Sequence, residues 1–149
     1  MRKLIVLLIS VAVLSSCGST IQTLYYWGGE YGNYTVYEKA AYDNYKSKTP
    51  QSICALVYTY ENMVKHPGGL RQMPPPGICA EYGYLLLMPE TATVFADNAT
   101  AGQKAVFGTT DYASYFRKHG EEMLRMEISL YPESETFIKP LINKWLESN

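Results

Sequence analysis

Apolar residues recur in this chain at steps of three and four, and prolines stop one run after another. Residues at those steps share one face of a helix, so the pattern points to packed helices and leaves little room for sheet. Tyr34, Tyr37, Ala41 and Tyr45 mark one face of a first helix over 34–47. Thr49 is placed to cap a second helix, with Pro50 at its first position, where a missing N–H costs nothing. Ile53, Leu56, Val57, Tyr60 and Val64 form its stripe over 50–65, and His66-Pro67-Gly68-Gly69 ends it. The segment Pro67 to Gly77 holds Pro74-Pro75-Pro76-Gly77 and is expected to be a stiff connector. A third helix starts at Ile78, places Cys79, Tyr82, Leu85 and Leu86 on one side, and stops at Pro89. Residues 89–110 are rich in Ala, Thr, Gly and Asn, with Val94, Phe95, Val106 and Phe107 between them; a short helix and a loop are expected. A long helix from about Asp111 to Tyr131 carries Tyr112, Phe116, Met123, Leu124, Ile128 and Leu130, and Pro132 ends it. A last amphipathic helix over 133–146 presents Phe137, Leu141, Ile142 and Trp145, with a kink expected at Pro140. No alternating strand pattern of any length occurs. The expected fold is all-α, built from antiparallel helical hairpins.

The first seventeen residues obey a different rule. Arg2 and Lys3 precede an apolar run from Leu4 to Leu14, too short to span a bilayer and laid out like a secretory signal. Leu14-Ser15-Ser16-Cys17 resembles the lipobox of bacterial lipoproteins, in which the cysteine is acylated and becomes the mature N-terminus. The chain then divides into a signal peptide at 1–16, a lipidated tether with an aromatic and glycine-rich segment at 17–33, and one helical domain at 34–149. The expected location is the outer membrane, and the stretch after Cys17 carries no acidic residues, which favours an anchor facing the periplasm.

Removing Arg2 and Lys3 takes the formal charge from −1 to about −3. A balance so close to neutral gives no basic footprint, so no nucleic-acid partner is expected. Tyrosine is unusually frequent, 14 against 4 phenylalanines, and its apolar body with a polar tip suits half-buried faces and interfaces. Cys54 and Cys79 remain once Cys17 is lipidated. A compartment outside the cytoplasm permits disulfides, so the pair is either one bridge on neighbouring helices or two buried thiols.

His66 and His119, the two histidines, lie on different elements with no ligand spacing, and no nucleophile elbow, phosphate loop or metalloprotease motif occurs. No metal, cofactor or catalytic residue is therefore expected. Glu81 is read as a buried glutamate hydrogen-bonded to a tyrosine or to loop amides. Gly120, Leu124 and Pro132 have the small, large and closing-proline spacing of a tetratricopeptide second helix, and Gly83 resembles the small residue that lets the first helix approach.

Pro75-Pro76-Gly77-Ile78-Cys79-Ala80-Glu81-Tyr82-Gly83-Tyr84-Leu85-Leu86, Tyr131-Pro132-Glu133-Ser134 and Tyr26-Trp27-Gly28-Gly29 together resemble the lipoprotein family called domain of unknown function 4810. The resemblance covers nearly the whole mature chain. It implies a tetratricopeptide-like helical lipoprotein that accompanies other envelope lipoproteins, one of them curli-channel-like, and it implies no activity. The expectation from the sequence is a non-catalytic adaptor, with a cell-wall-active enzyme or its activator and a small-ligand binder as alternatives. Tyr25, Tyr26, Trp27 and Tyr31, joined by Tyr82 and Tyr84 of the proline block, are the expected partner surface.

Overall fold

The computed structural model describes residues 22–147; the signal segment and Cys17 lie outside the described residues. Among the described residues the fold is all-α apart from one small hairpin. Strands β1 (Glu30–Tyr31) and β2 (Tyr34–Thr35) pair antiparallel across Gly32 and Asn33. Seven helices follow: α1 (Val36–Ser47), α2 (Pro50–Lys65), α3 (Ile78–Leu87), α4 (Thr91–Asn98), α5 (Ala101–Ala105), α6 (Tyr112–Leu130) and α7 (Glu135–Glu147), with a 3-10 turn at Pro132–Ser134. Helix α7 runs through Pro140.

Local chemistry sets most of these ends. Thr35 caps α1 reciprocally with Glu38: its hydroxyl accepts from the Glu38 N–H at 3.1 Å, and Glu38 accepts from the Thr35 N–H at 2.7 Å. Thr49 caps α2 through the Ser52 N–H, with Pro50 next in line. Helix α3 has no cap of its own, because Gly77 precedes it with φ at +88° and brings no side chain. Glu127, from the last turn of α6, fills that role. Its carboxylate accepts from the Gly77 N–H at 2.7 Å and the Ala80 N–H at 3.3 Å, a negative group set on the positive end of a helix.

The closest packing is between α3 and α6. A methyl group on Gly83 would stand 2.7 Å from the Gly120 carbonyl oxygen, and one on Gly120 would stand 3.0 Å from the Gly83 oxygen. The two backbones meet there, and this contact compensates the helix cost of both glycines. The small residues singled out by spacing therefore do the work that spacing implied. Between α3 and α6 the chain inserts α4 and α5, which close over a ring cluster. Phe95 lies 5.0 Å from Phe107, 5.2 Å from Tyr112 and 5.3 Å from Phe116, centroid to centroid and edge to face.

Two expectations are corrected here, and of the two alternatives for the cysteine pair the buried thiols are found. On α1 Ala40 is buried and Tyr37 and Ala41 are half-buried against the core; Tyr34 and Tyr45, read as sharing that face, are exposed. On α7 the buried residues are Ile138 and Ile142, packed on Leu124, and Phe137 is exposed. Cys54 and Cys79 are both free and buried. The Cys54 thiol reaches the Val94 carbonyl of α4 at 3.8 Å, whereas burial and then the nearby Glu127 charge push the Cys79 thiol up to about 12. One sulfur is directed to α4 and the other lies near α6, so α2 and α3 are neighbours without a bridge.

Candidate interaction surface

Eight of the 14 tyrosines fall into two sets. One runs through the molecule as a ladder. Trp27 packs on Tyr37 at 5.4 Å, Tyr37 on Tyr60 at 5.9 Å, Tyr60 on Tyr82 at 5.6 Å, Tyr82 on His119 at 5.6 Å and His119 on Tyr115 at 5.2 Å. Each of these rings comes from a different element in turn until α6, which supplies the last two. Two carboxylates satisfy the hydroxyls of Tyr37, Tyr60 and Tyr82. Glu81 accepts from Tyr37 at 2.9 Å and from Tyr60 at 2.6 Å. Glu61, with no exposed surface, accepts from Tyr82 at 2.9 Å, pairs with Lys65 at 2.8 Å and meets the His119 Nε2 at 3.1 Å. A buried charge needs such partners.

The electrostatics follow from this geometry. Burial alone would raise the Glu61 carboxyl, but hydrogen bonds from His119, Lys65 and Tyr82 outweigh it and hold it below its usual range. Burial alone would lower His119, but Glu61, and Glu122 at 3.4 Å from its other ring nitrogen, draw it upward. With a carboxylate at each nitrogen, the doubly protonated ring is the form that fits. Burial, with the Glu81 carboxylate beside it, pushes the Tyr37 hydroxyl up to about 12.

The other set is open to solvent and is gathered at the N-terminal end. Tyr31 and Tyr34 stand on the hairpin and Tyr42 and Tyr45 on α1, with Tyr45 the most exposed at 89%. Tyr34, Glu38, Lys39, Tyr42 and Asp43 line a hollow of about 550 Å³. The Lys39 ammonium lies 5.8 Å from the Tyr31 ring centroid and pairs with Asp43, while Glu38 is held by the cap of α1. The acids of this hollow are thus already engaged, and its open walls are the tyrosine rings.

Of the six aromatic residues expected to form the partner surface, Tyr26, Tyr31 and Tyr84 are exposed, and Tyr25 and Trp27 are half-buried. Tyr82 has no exposed surface and is removed from the set. It is the central ring of the ladder, and its hydroxyl is committed to Glu61. The proline block is likewise core: Pro74, Pro75, Ile78 and Cys79 are buried, and the Tyr131 hydroxyl donates to the Pro74 carbonyl at 2.6 Å. Glu81 does hold tyrosines, as read, but at an exposed position; the glutamate on loop amides is Glu127. Sequence reasoning passed over Glu61, His119 and Glu127 as partners, because they come together from distant elements. It also passed over Tyr34 and Tyr42, although the Gly32-Asn33 turn between two tyrosines is a hairpin signal.

Among the described residues no group of histidine, cysteine and acidic side chains is arranged to hold a metal, and no helix is long and apolar enough to cross a membrane. No family model, no curated protein and no solved structure matches the chain.

Proposed function

We propose that this protein is a lipid-anchored adaptor of a bacterial envelope, non-catalytic, holding another envelope lipoprotein through the tyrosine surface of the hairpin and α1. The observation that supports the reading is the division of the tyrosines. Tyr37, Tyr60 and Tyr82 of the ladder have their hydroxyls bound to Glu81 and Glu61, while Tyr31, Tyr34, Tyr42 and Tyr45 of the hairpin and α1 stand in solvent, two of them, Tyr34 and Tyr42, lining one hollow. Tyrosine buries a large area with few rotors to freeze, and it is enriched where proteins meet. The lipobox-like Leu14-Ser15-Ser16-Cys17 supports the anchor, and the resemblance of the Pro75–Tyr84 block supports a partner that is itself a lipoprotein, curli-channel-like among the choices.

The test uses the full chain, tagged at its C-terminus and recovered from the envelope of its source. The wild type is expected to bring down one lipoprotein reproducibly, and the Tyr34→Ser, Tyr42→Ser, Tyr45→Ser triple variant to lose it while remaining folded and membrane-bound. Retention of that protein by the triple variant contradicts the surface. Recovery of cell-wall hydrolysis with the purified chain would favour the enzyme reading instead.

A further inference from the structure

The hairpin and α1 do not account for the other exposed apolar feature at this end. Leu24 and Leu70 are 49% and 61% exposed, and they are the only leucines in the exposed class among residues whose burial is described. They belong to one small platform. The Leu70 N–H donates to the Thr23 carbonyl at 3.1 Å, and the Arg71 N–H donates to the Leu24 carbonyl at 3.0 Å. The loop is shaped for this contact. Gly69 has φ at +72°, and a methyl group there would meet the Leu24 oxygen and the Tyr25 Cα at 2.8 Å; one on Gly68 would meet the Tyr26 Cβ at 3.1 Å. Gln72, at φ +52°, closes the turn by donating to the Gly69 carbonyl at 2.6 Å. Glycine is thus required where the entering chain crosses the loop, and two leucines with the exposed cation of Arg71 are left outward at the crossing.

We infer that this platform, Leu24 and Leu70 with Arg71, seats the protein on the lipid interface of the membrane that holds its anchor. The inference rests on lipidation of Cys17. The chain length then sets the geometry. Thr23 lies six steps along the chain from Cys17, and even fully extended these reach no more than about 22 Å. Among the described residues, the platform is the part of the body hydrogen-bonded to the stretch nearest Cys17 in the chain, so it is held close to the bilayer. A tether this short supplies an effective concentration on the order of millimolar, so burial of two leucines is enough to keep the face down. Leucine is favourable in the hydrocarbon edge, and arginine keeps its charge among headgroups while its stem lies along the apolar layer. Seated this way, the platform fixes one end of the domain against lipid and leaves the rest of it facing outward.

The experiment places a nitroxide at Leu70→Cys and, as a reference, at Phe137→Cys on α7. Cys54 and Cys79 are buried with thiols raised by that burial, so the introduced thiol is the one that labels. The full lipidated chain is reconstituted in vesicles of phosphatidylethanolamine and phosphatidylglycerol, floated, and read by power saturation with oxygen and with a nickel chelate. The expected result is that adding vesicles raises the oxygen-to-nickel accessibility ratio at 70 and leaves it unchanged at 137. Cofloating protein with no change at 70 overturns the seat while leaving the anchor intact. Failure to cofloat overturns the anchor, and the seat with it. Leu24→Cys repeats the reading from the tether side and must agree.

Discussion

The tyrosines of the ladder and those of the N-terminal surface are the same side chain put to opposite uses. Tyr82 sits in the middle of the domain with its hydroxyl on Glu61, and Tyr60 lies beside it with its hydroxyl on Glu81. Removing a partner there leaves a buried polar group stranded, which is costly. Tyr42 and Tyr45 lie one helix away and face solvent. They contribute little to the fold, so their cost on removal should appear in binding alone. The difference teaches that tyrosine abundance by itself says nothing about interfaces; the hydroxyl's partner does.

The largest expected effect is at the carboxylate under the ladder. Glu61→Ala strands the buried Tyr82 hydroxyl beside a void and takes the buried carboxylate from His119 and Lys65, which keep only Glu122 and the Val106 carbonyl, and unfolding by urea should show a loss of about 3–5 kcal/mol. Loss of less than about 1 kcal/mol would mean that the buried pair is not structural. Next comes the seam that carries the ladder. Gly83→Val drives a side chain into the Gly120 carbonyl, with an expected loss of about 1–3 kcal/mol or more. Tyr82→Phe removes one hydroxyl and keeps the ring, so a smaller loss, about 1–2 kcal/mol, is expected by the same measurement. At the other end of the scale, Tyr45→Ala should change stability by no more than about 0.5 kcal/mol, because nothing is packed on it. A large loss there would make the outer tyrosines part of the fold and erase the contrast.

The ladder also predicts a pH profile. His119 titrates above its ordinary value in the folded chain, so its stabilisation is full at pH below the unfolded histidine value and is lost as pH rises through the folded one. Glu61 titrates below its ordinary value, so its stabilisation is full above the unfolded carboxylate range and is lost as pH falls through the folded one. Stability from this pair should peak between the two. His119→Gln should flatten the alkaline limb, measured as melting temperature from pH 6 to pH 9. An unchanged slope would show that the ring is not protonated against Glu61.

Much of this was readable in the chain. The bounds of α2 follow from Thr49, Pro50 and the His66-Pro67-Gly68-Gly69 stop, and the structure places them at Pro50–Lys65. Gly83 and Gly120 were legible because a glycine inside a helix asks for a reason, and close packing supplies one. The segment 89–110 was not legible, since its apolar residues are few; the fold of α4 and α5 comes from Phe95 meeting three rings that lie later in the chain. The face of α1 was misread because Tyr45 fits the helical step as well as Tyr37 does. Only the neighbour, α2, decides which tyrosine is covered. Glu61 and His119 lie 58 residues apart, and no local pattern connects them.

The central claim is that the fold uses one set of tyrosines and leaves the other for a partner. Purifying the full-length chain from its native envelope in parallel as wild type, as Tyr82→Phe and as the Tyr34→Ser, Tyr42→Ser, Tyr45→Ser variant, with a melting curve on each, measures it directly. The account predicts that Tyr82→Phe lowers the melting temperature and keeps the copurifying lipoprotein, whereas the triple variant keeps the melting temperature and loses the lipoprotein. Loss of the lipoprotein from Tyr82→Phe at full stability, or its retention by the triple variant, would contradict it.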